Sequence, residues 1–239
     1  AAFVGTAPKI AAVMFAFRIL LTGFGEVHQY WAPMFAVLAV ASLVVGNLAA
    51  IMQTNIKRML AYSTVSHMGF ILLAFMAGSI GSTAGLYYAI TYALMAAAGF
   101  GILMVLSNDN IECEEIKDLA GLNQRHAWFA LLMLLVMFSM AGIPPLMGFY
   151  AKFGVIMVLL KFHYVWLSVF AVVMSLIGAF YYLRVVKVMY FDEPTHDQPI
   201  GSNYAAKFFL SVNAFLLVLW GVMPQTMIDW CAKALENTL

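Results

Sequence analysis

Seven long apolar runs follow one another along the sequence and leave little chain between them. They fall near residues 6–24, 32–53, 57–78, 82–107, 127–161, 164–191 and 204–223. Most contain about 20 residues, the length at which a helix rising about 1.5 Å per residue crosses a ~30 Å hydrocarbon layer. Strands of a membrane barrel would instead appear as short alternating stretches. The sequence therefore predicts an all-α fold, a polytopic transmembrane helix bundle of about seven spans.

Composition favours a single membrane domain over residues 1–239. Hydrophobic residues make up 64% of the chain and charged residues only 10%, whereas soluble domains contain about 25% charged residues. The net charge of +1 and the lack of a basic tract argue against a nucleic-acid-binding protein. Cys113 and Cys231 form no Cys-x-x-Cys pair, and no nucleotide loop or haem or iron–sulfur ligand pattern is found. We therefore expect this chain to bind no cofactor and no metal.

The fifth run, residues 127–161, is too long for one straight span and contains Gly142-Ile143-Pro144-Pro145. Two prolines remove two amide donors, so the helix must break there. The run is then either two spans or one span made of two half-helices. The second arrangement places most basic residues on one face, namely Lys57, Arg58, Lys117, Arg125, Arg184, Lys187 and Lys207, and only Lys161 and Lys233 on the other. Because cytoplasmic loops are rich in Lys and Arg, we predict one broken span with the basic face in the cytoplasm.

Two segments outside the spans are polar enough to meet water. Residues 108–126, NDNIECEEIKDLAGLNQRH, predict a cytoplasmic loop with a short amphipathic helix. A solvated connector is the favoured reading of this loop, and a docking surface for a neighbouring subunit is the alternative. The tail, residues 224–239, is amphipathic and is expected to lie along the opposite membrane interface.

Lys9 and Lys152 are the lysines placed inside a predicted span and not among the basic residues at its two faces. Inside a span, a charge costs about 3 kcal/mol on insertion scales. Lys152 follows the proline break by about two helical turns, which places it near mid-depth. Because burial disfavours the charged amine, this lysine is a candidate proton carrier, and the alternative is an interfacial anchor. Lys9 lies near the start of the first span. It is either a second titratable group or an end residue that reaches the interface.

His67 lies inside the third run, in LAYSTVSHMGF. Its imidazole changes charge near neutral pH and can relay a proton between water and a lysine. The alternative is a histidine that only makes hydrogen bonds between helices. Lys9, His67 and Lys152 are therefore the candidate site residues, with proton transfer as the candidate chemistry.

The stretch GNLAAIMQTNIKRMLAYSTVSHMGF resembles the antiporter-like membrane subunits of respiratory complex I and their relatives in multisubunit sodium/proton antiporters. The runs SMAGIPPLMGFYAKF and YYLRVVKVMYFDEP are most similar to the chain N group of this family. Asn55, in TNIKR, also fits that group, since the related chains L and M usually carry Asp there. The resemblance covers essentially the whole sequence.

The resemblance implies a fold of about fourteen helices built from inverted repeats, of which this sequence matches the second half. The first residues, AAFVGTAPKIAAVMF, contain no initiator Met and no targeting pattern, as expected for the interior of a longer protein. By the same resemblance, Lys9 corresponds to the central lysine of the eighth helix, His67 to a histidine of the tenth, and Lys152 to the lysine of the broken twelfth.

The function implied by the resemblance is proton translocation within NADH:quinone oxidoreductase, in the inner membrane of a bacterium. NAD, FMN, iron–sulfur clusters and quinone are then expected in other subunits, and the partners are other membrane subunits of the complex and the lipid bilayer. Two alternatives remain. One is a subunit of a multisubunit cation/proton antiporter, and the other is a purely structural lateral subunit.

Overall fold

The computed structural model describes residues 7–107, 113–194 and 204–236. The described residues are almost entirely helical, which confirms the all-α prediction. The helices are α1 (Ala7–Arg18), α2 (His28–Ile51), α3 (Ile56–Phe75), α4 (Gly78–Leu106), α5 (Leu122–Ala141), α6 (Met147–Lys161), α7 (Val165–Phe191), α8 (Tyr204–Val222) and α9 (Pro224–Glu236). A π-helical segment, Ile19–Gly23, and a 3-10 turn, Gly25–Val27, join α1 to α2. A second 3-10 turn, Ile116–Leu119, precedes α5.

Five helical segments within the described residues are long and apolar enough to cross a membrane by themselves. They are Gly25–Ile51, Gly78–Leu106, Leu122–Ala141, Val165–Phe191 and Tyr204–Val222. The helix α3 is more polar but lies antiparallel along α2. A Cβ atom on Gly46 would lie 2.5 Å from the Ser66 nitrogen, and one on Gly69 would meet the Ala39 oxygen at 3.1 Å. The seven predicted runs thus correspond to α1, α2, α3, α4, the α5–α6 pair, α7 and α8.

One end of the bundle gathers residues 51–58, 113–121 and 184–194, which we call the charged end. The Ile56 amide donates to the Glu114 carbonyl at 2.7 Å, and the Gly121 amide donates to the Val188 carbonyl at 3.2 Å. The start of α5 therefore lies beside the end of α7. Since a short turn joins α6 to α7 at the opposite end, α5 and α6 together cross the bundle once. This arrangement confirms the prediction of a single broken span.

Charged side chains hold the segments of the charged end together. The Arg184 guanidinium donates to the Ile51 carbonyl at 3.0 Å and to the Gln53 carbonyl at 2.5 Å. Lys57 forms an ion pair with Glu114 at 2.9 Å. Arg184 therefore satisfies carbonyl groups at the end of α2 that have no partner within the helix.

The second boundary of the predicted loop, residues 108–126, coincides with a kink in the backbone at His126. Helix α5 begins at Leu122, after Gly121 with φ +62°, and carries a non-helical residue at His126. The described part of this loop contains the 3-10 turn Ile116–Leu119, while residues 108–112 lie outside the described part of the chain.

The predicted tail, residues 224–239, is described as far as Glu236, where it forms α9. Its buried side chains, Met227, Cys231 and Leu235, recur every four residues, so one face packs on the bundle. Both Cys113 and Cys231 are free and buried, at opposite ends of the molecule. Burial raises the pKa of the Cys113 thiol to about 12 and that of Cys231 to about 11. Both therefore remain protonated thiols at neutral pH.

The break between α5 and α6 is closely packed. A Cβ atom on Gly148 would lie 1.8 Å from the Ser139 carbonyl oxygen, and one on Gly221 would lie 2.1 Å from the Pro145 oxygen. The Gly148 amide donates to the Ser139 hydroxyl at 3.1 Å. Glycine at 148 and 221 thus lets α6 and α8 approach the backbone of the break.

Replacing Gly148 by Ala should destabilise the bundle by about 3 kcal/mol or more, because the added methyl overlaps backbone and not a movable side chain. Gly154→Ala, on the same helix, is the matched control, since its Cβ would meet only the Ala84 methyl, at 3.9 Å. The measurement is the thermal unfolding midpoint of the full-length protein in detergent, together with its amount in membranes. Equal midpoints for the two variants would contradict the close approach at Gly148.

Candidate functional site

Lys152 lies on α6 and is 7% exposed. Its ammonium group donates three hydrogen bonds, each 2.9 Å long, to the Met140 carbonyl, the Ala141 carbonyl and the Ser175 hydroxyl. The two carbonyls are at the C-terminus of α5, where a helix leaves carbonyl groups without partners and carries partial negative charge. The helix break thus creates an acceptor site that matches a protonated lysine.

Gly142 forms part of this lysine site. It adopts φ +87°, a left-handed conformation that glycine tolerates best. A Cβ atom at this position would also lie 3.0 Å from Cδ of Lys152 and 3.3 Å from its Nζ. The glycine of the GIPP motif therefore ends α5 and leaves space for the lysine side chain.

His67, on α3, is 3% exposed and lies between two tyrosines. Its Nδ1 is 2.7 Å from the Tyr88 hydroxyl of α4, and its Nε2 is 3.0 Å from the Tyr182 hydroxyl of α7. A neutral imidazole donates from one nitrogen and accepts at the other, and a tyrosine hydroxyl can do either. His67 can therefore take up a proton on one side and release one on the other without moving its ring.

A small cavity of about 10 Å³ lies between His67 and Lys152, about the volume that one water molecule needs. Its polar lining comes from four helices and consists of Asn47, Ser66, His67, Lys152, Ser175, Tyr181 and Tyr182. Asn47 is held in place, because its amide donates to the Met174 carbonyl and accepts from the Tyr181 hydroxyl, both at 3.1 Å. The cavity brings the imidazole and the ammonium group to one polar space.

Lys9, on α1, approaches the same region from the other side. Its Nζ lies 4.8 Å from the centre of the Tyr92 ring, a distance typical of a cation–π contact. The Tyr92 ring is in turn 4.9 Å from the His67 ring, and the Tyr92 hydroxyl forms a hydrogen bond with Thr64. The three residues singled out from sequence are therefore arranged in the order Lys9, His67, Lys152 along one series of contacts, in which Lys9 is half-buried and His67 and Lys152 are buried.

Sequence reasoning missed several polar residues that lie around Lys9, His67 and Lys152. They are Asn47, Tyr88, Tyr92, Ser175, Tyr181 and Tyr182. The spacing of Tyr88 and Tyr92, four residues apart on α4, could have indicated a shared face toward His67. Asn47, a polar amide within a long apolar helix, was a second available signal. Among the described residues, no group of three or more His, Cys, Asp or Glu side chains could hold a metal ion.

Comparison with known proteins identifies the family to which this chain belongs. The family described as "NADH:quinone oxidoreductase/Mrp antiporter, TM" matches residues 1–178. NADH-quinone oxidoreductase subunit N of Neisseria gonorrhoeae is 81% identical over 239 residues, which are 100% of this chain and 50% of that protein. The chain thus spans about half the length of the curated relatives that it matches.

Solved structures share the same helix arrangement. A chain of respiratory complex I from Thermus thermophilus, solved with bound aureothin, is 29% identical with a TM-score of 0.75, and the match covers 82% of this chain and 45% of that one. A chain of the Mrp complex from Dietzia sp. has a TM-score of 0.84 at 22% identity, covering 98% of this chain and 52% of that one, and this likeness concerns the fold alone. The chain is therefore a multi-pass membrane protein that belongs to the NADH:quinone oxidoreductase/Mrp antiporter transmembrane family.

Proposed function

We propose that this chain is the C-terminal half of a proton-translocating membrane subunit of NADH:quinone oxidoreductase, and that Lys9, His67 and Lys152 pass protons along its interior. The observation that carries the proposal is the series of contacts that links Lys9 to His67 through the Tyr92 ring, and His67 to Lys152 through the small polar cavity. The name of the relatives, NADH-quinone oxidoreductase subunit N, supports the assignment to this enzyme.

Lys152 is suited to proton transfer because its three hydrogen-bond partners are uncharged oxygens. A buried ammonium paired with a carboxylate would be held in its charged state by that ion pair. Lys152 has hydrogen bonds without such a counter-charge, so a change in charge on a neighbouring group acts directly on its protonation. The imidazole of His67 lines the same cavity as the Lys152 ammonium.

Translocation follows from repulsion between neighbouring cations. Lys9, His67 and Lys152 each carry a positive charge when protonated, and like charges at short range in a low dielectric disfavour one another. A proton arriving at one group therefore promotes release from the next. We infer that quinone reduction in a neighbouring module shifts the populations of these charge states, as any coupled equilibrium requires. This chain then needs no redox centre of its own, with NAD, FMN, iron–sulfur clusters and quinone in other subunits.

The proposed location is the inner membrane of a bacterium, with other membrane subunits of the enzyme as partners. The basic residues support an orientation with the charged end toward the cytoplasm. Arg58, Lys117 and Arg184 lie on segments at that end, whereas Lys161 ends α6 at the other. This distribution follows the excess of Lys and Arg on cytoplasmic segments.

The alternative function is that of a subunit in a multisubunit cation/proton antiporter, which the family also includes. Purification from membranes separates the two. A subunit of the oxidoreductase should copurify with NADH oxidation that is blocked by inhibitors of quinone reduction. Cation exchange without NADH oxidation would instead support the antiporter.

Lys152→Met in the full-length protein within the purified complex should lower proton transport per NADH oxidised by roughly tenfold or more, because methionine fills similar space and cannot carry a proton. Lys161→Met, in the last turn of the same helix and exposed, is the matched control. The measurement is proton uptake by proteoliposomes at equal content of assembled complex. Normal transport by an assembled Lys152→Met complex would remove Lys152 from the path.

His67→Gln should also reduce proton transport while the complex still assembles. Glutamine can donate to one tyrosine and accept from the other, but it cannot exchange protons near neutral pH. His28→Gln is the control, since the His28 ring forms a hydrogen bond with the Met76 carbonyl at 3.0 Å, packs on Trp31 and does not line the cavity. Equal transport by the two variants would restrict His67 to a structural role.

A further inference from the structure

We propose that Ser175 is the residue through which Lys152 gains and loses its proton. The inference rests on the proposed function, since it takes Lys152 to be a proton carrier. It adds the path by which a proton moves between Lys152 and the cavity that His67 lines. The donor and acceptor chemistry of the three groups around the ammonium assigns this role to Ser175.

A protonated lysine offers three N–H donors, and the three oxygens around Lys152 use all of them. A neutral amine has two N–H donors and one lone pair, so one of its three partners must become a donor. The Met140 and Ala141 carbonyls can only accept. The Ser175 hydroxyl can accept from the ammonium or donate to the amine, so it is the partner that serves both states.

The hydroxyl of Ser175 is also oriented differently from that of a nearby serine on the same helix. The Ser168 hydroxyl donates to the Tyr164 carbonyl one turn earlier, at 3.0 Å, as serines inside helices commonly do. The Ser175 oxygen instead accepts from Lys152 across the gap between α6 and α7. Its own proton is thus free to point toward the cavity that Ser175 lines together with His67.

Transfer out of Lys152 then proceeds in one balanced step. The Nζ–H bond that faces Ser175 breaks, and the proton bonds to Oγ. The original proton of Oγ passes at the same time to a water molecule in the cavity. That water becomes a hydronium ion next to His67. The result is a neutral amine whose lone pair accepts a hydrogen bond from the new Oγ–H, with both carbonyl contacts kept. Uptake of a proton by Lys152 follows the same step in reverse.

The two carbonyl contacts have a separate role in this arrangement. They remain bonded to N–H groups in both charge states, so the amine does not leave its position at the end of α5. Only the direction of the hydrogen bond with Ser175 reverses. Lys152 can therefore change charge without a rotamer change and without leaving a buried polar group unsatisfied, which would cost about 1–3 kcal/mol.

The experiment measures proton transport per NADH oxidised by the purified complex, with the full-length subunit, in proteoliposomes at equal complex content. Ser175→Ala removes the hydroxyl and should lower transport by roughly tenfold. Ser175→Thr keeps the hydroxyl and should restore most of the transport. Ser168→Ala, which removes a hydroxyl bonded within its own helix, should match the wild type.

A second pair covers the case in which Ser175→Ala assembles poorly. The side chains introduced by Ser175→Thr and Ser175→Val have nearly the same shape and differ in the hydroxyl. Proton transport that is lowered in Ser175→Val but not in Ser175→Thr therefore supports proton transfer through the hydroxyl. If Ala and Val both transport protons like the Thr and Ser168→Ala variants while Lys152→Met is defective, the role of Ser175 is overturned and the proposed function stands. Normal transport by Lys152→Met overturns the proposed function itself.

Discussion

The structure depends on the hydrogen bonds between the Lys152 ammonium and the carbonyl groups at the end of the interrupted helix. A helix that ends inside the bundle leaves carbonyl groups without water or backbone donors, and in a membrane each such group is costly. A lysine at the same depth is equally costly without acceptors. At the junction of α5 and α6 the two requirements cancel, because the ammonium donates to the carbonyls of Met140 and Ala141. Close packing of Gly148 and Gly221 against the break holds this geometry in place.

The polar residues around the cavity next to Lys152 are mostly uncharged. His67 lies between Tyr88 and Tyr182, and Asn47 fixes Tyr181 at the edge of the cavity. Tyrosine, serine and asparagine supply hydrogen bonds but carry no charge of their own. The protonation of each basic group therefore responds to the charge on the other basic groups. The cavity has room for about one water, which limits the connection to a single file of hydrogen bonds.

Charges with a structural role are separated from these groups by position. Arg184 and the Lys57–Glu114 pair lie at the charged end, where they join the α2–α3 turn to the segment before α5 and to the end of α7. Their partners are backbone carbonyls or an oppositely charged side chain at a partly exposed surface. Such contacts stabilise the ends of helices and set the order in which they meet. Lys152, by contrast, is buried between helices at the helix break.

The sequence by itself determined the helical membrane fold, the position of the break and the candidate residues Lys9, His67 and Lys152. These features follow from run length, from the two prolines and from the cost of charge in lipid. It did not determine which face of each helix is turned inward. Tyr87 and Tyr88 are adjacent and both buried, yet of the two only the Tyr88 hydroxyl forms a hydrogen bond with His67. In a membrane helix both the lipid-facing and the inward side are apolar, so periodicity carries little information about rotation. Only tertiary packing decided that Asn47, Tyr182 and Ser175, from helices far apart in sequence, meet around Lys152 and His67.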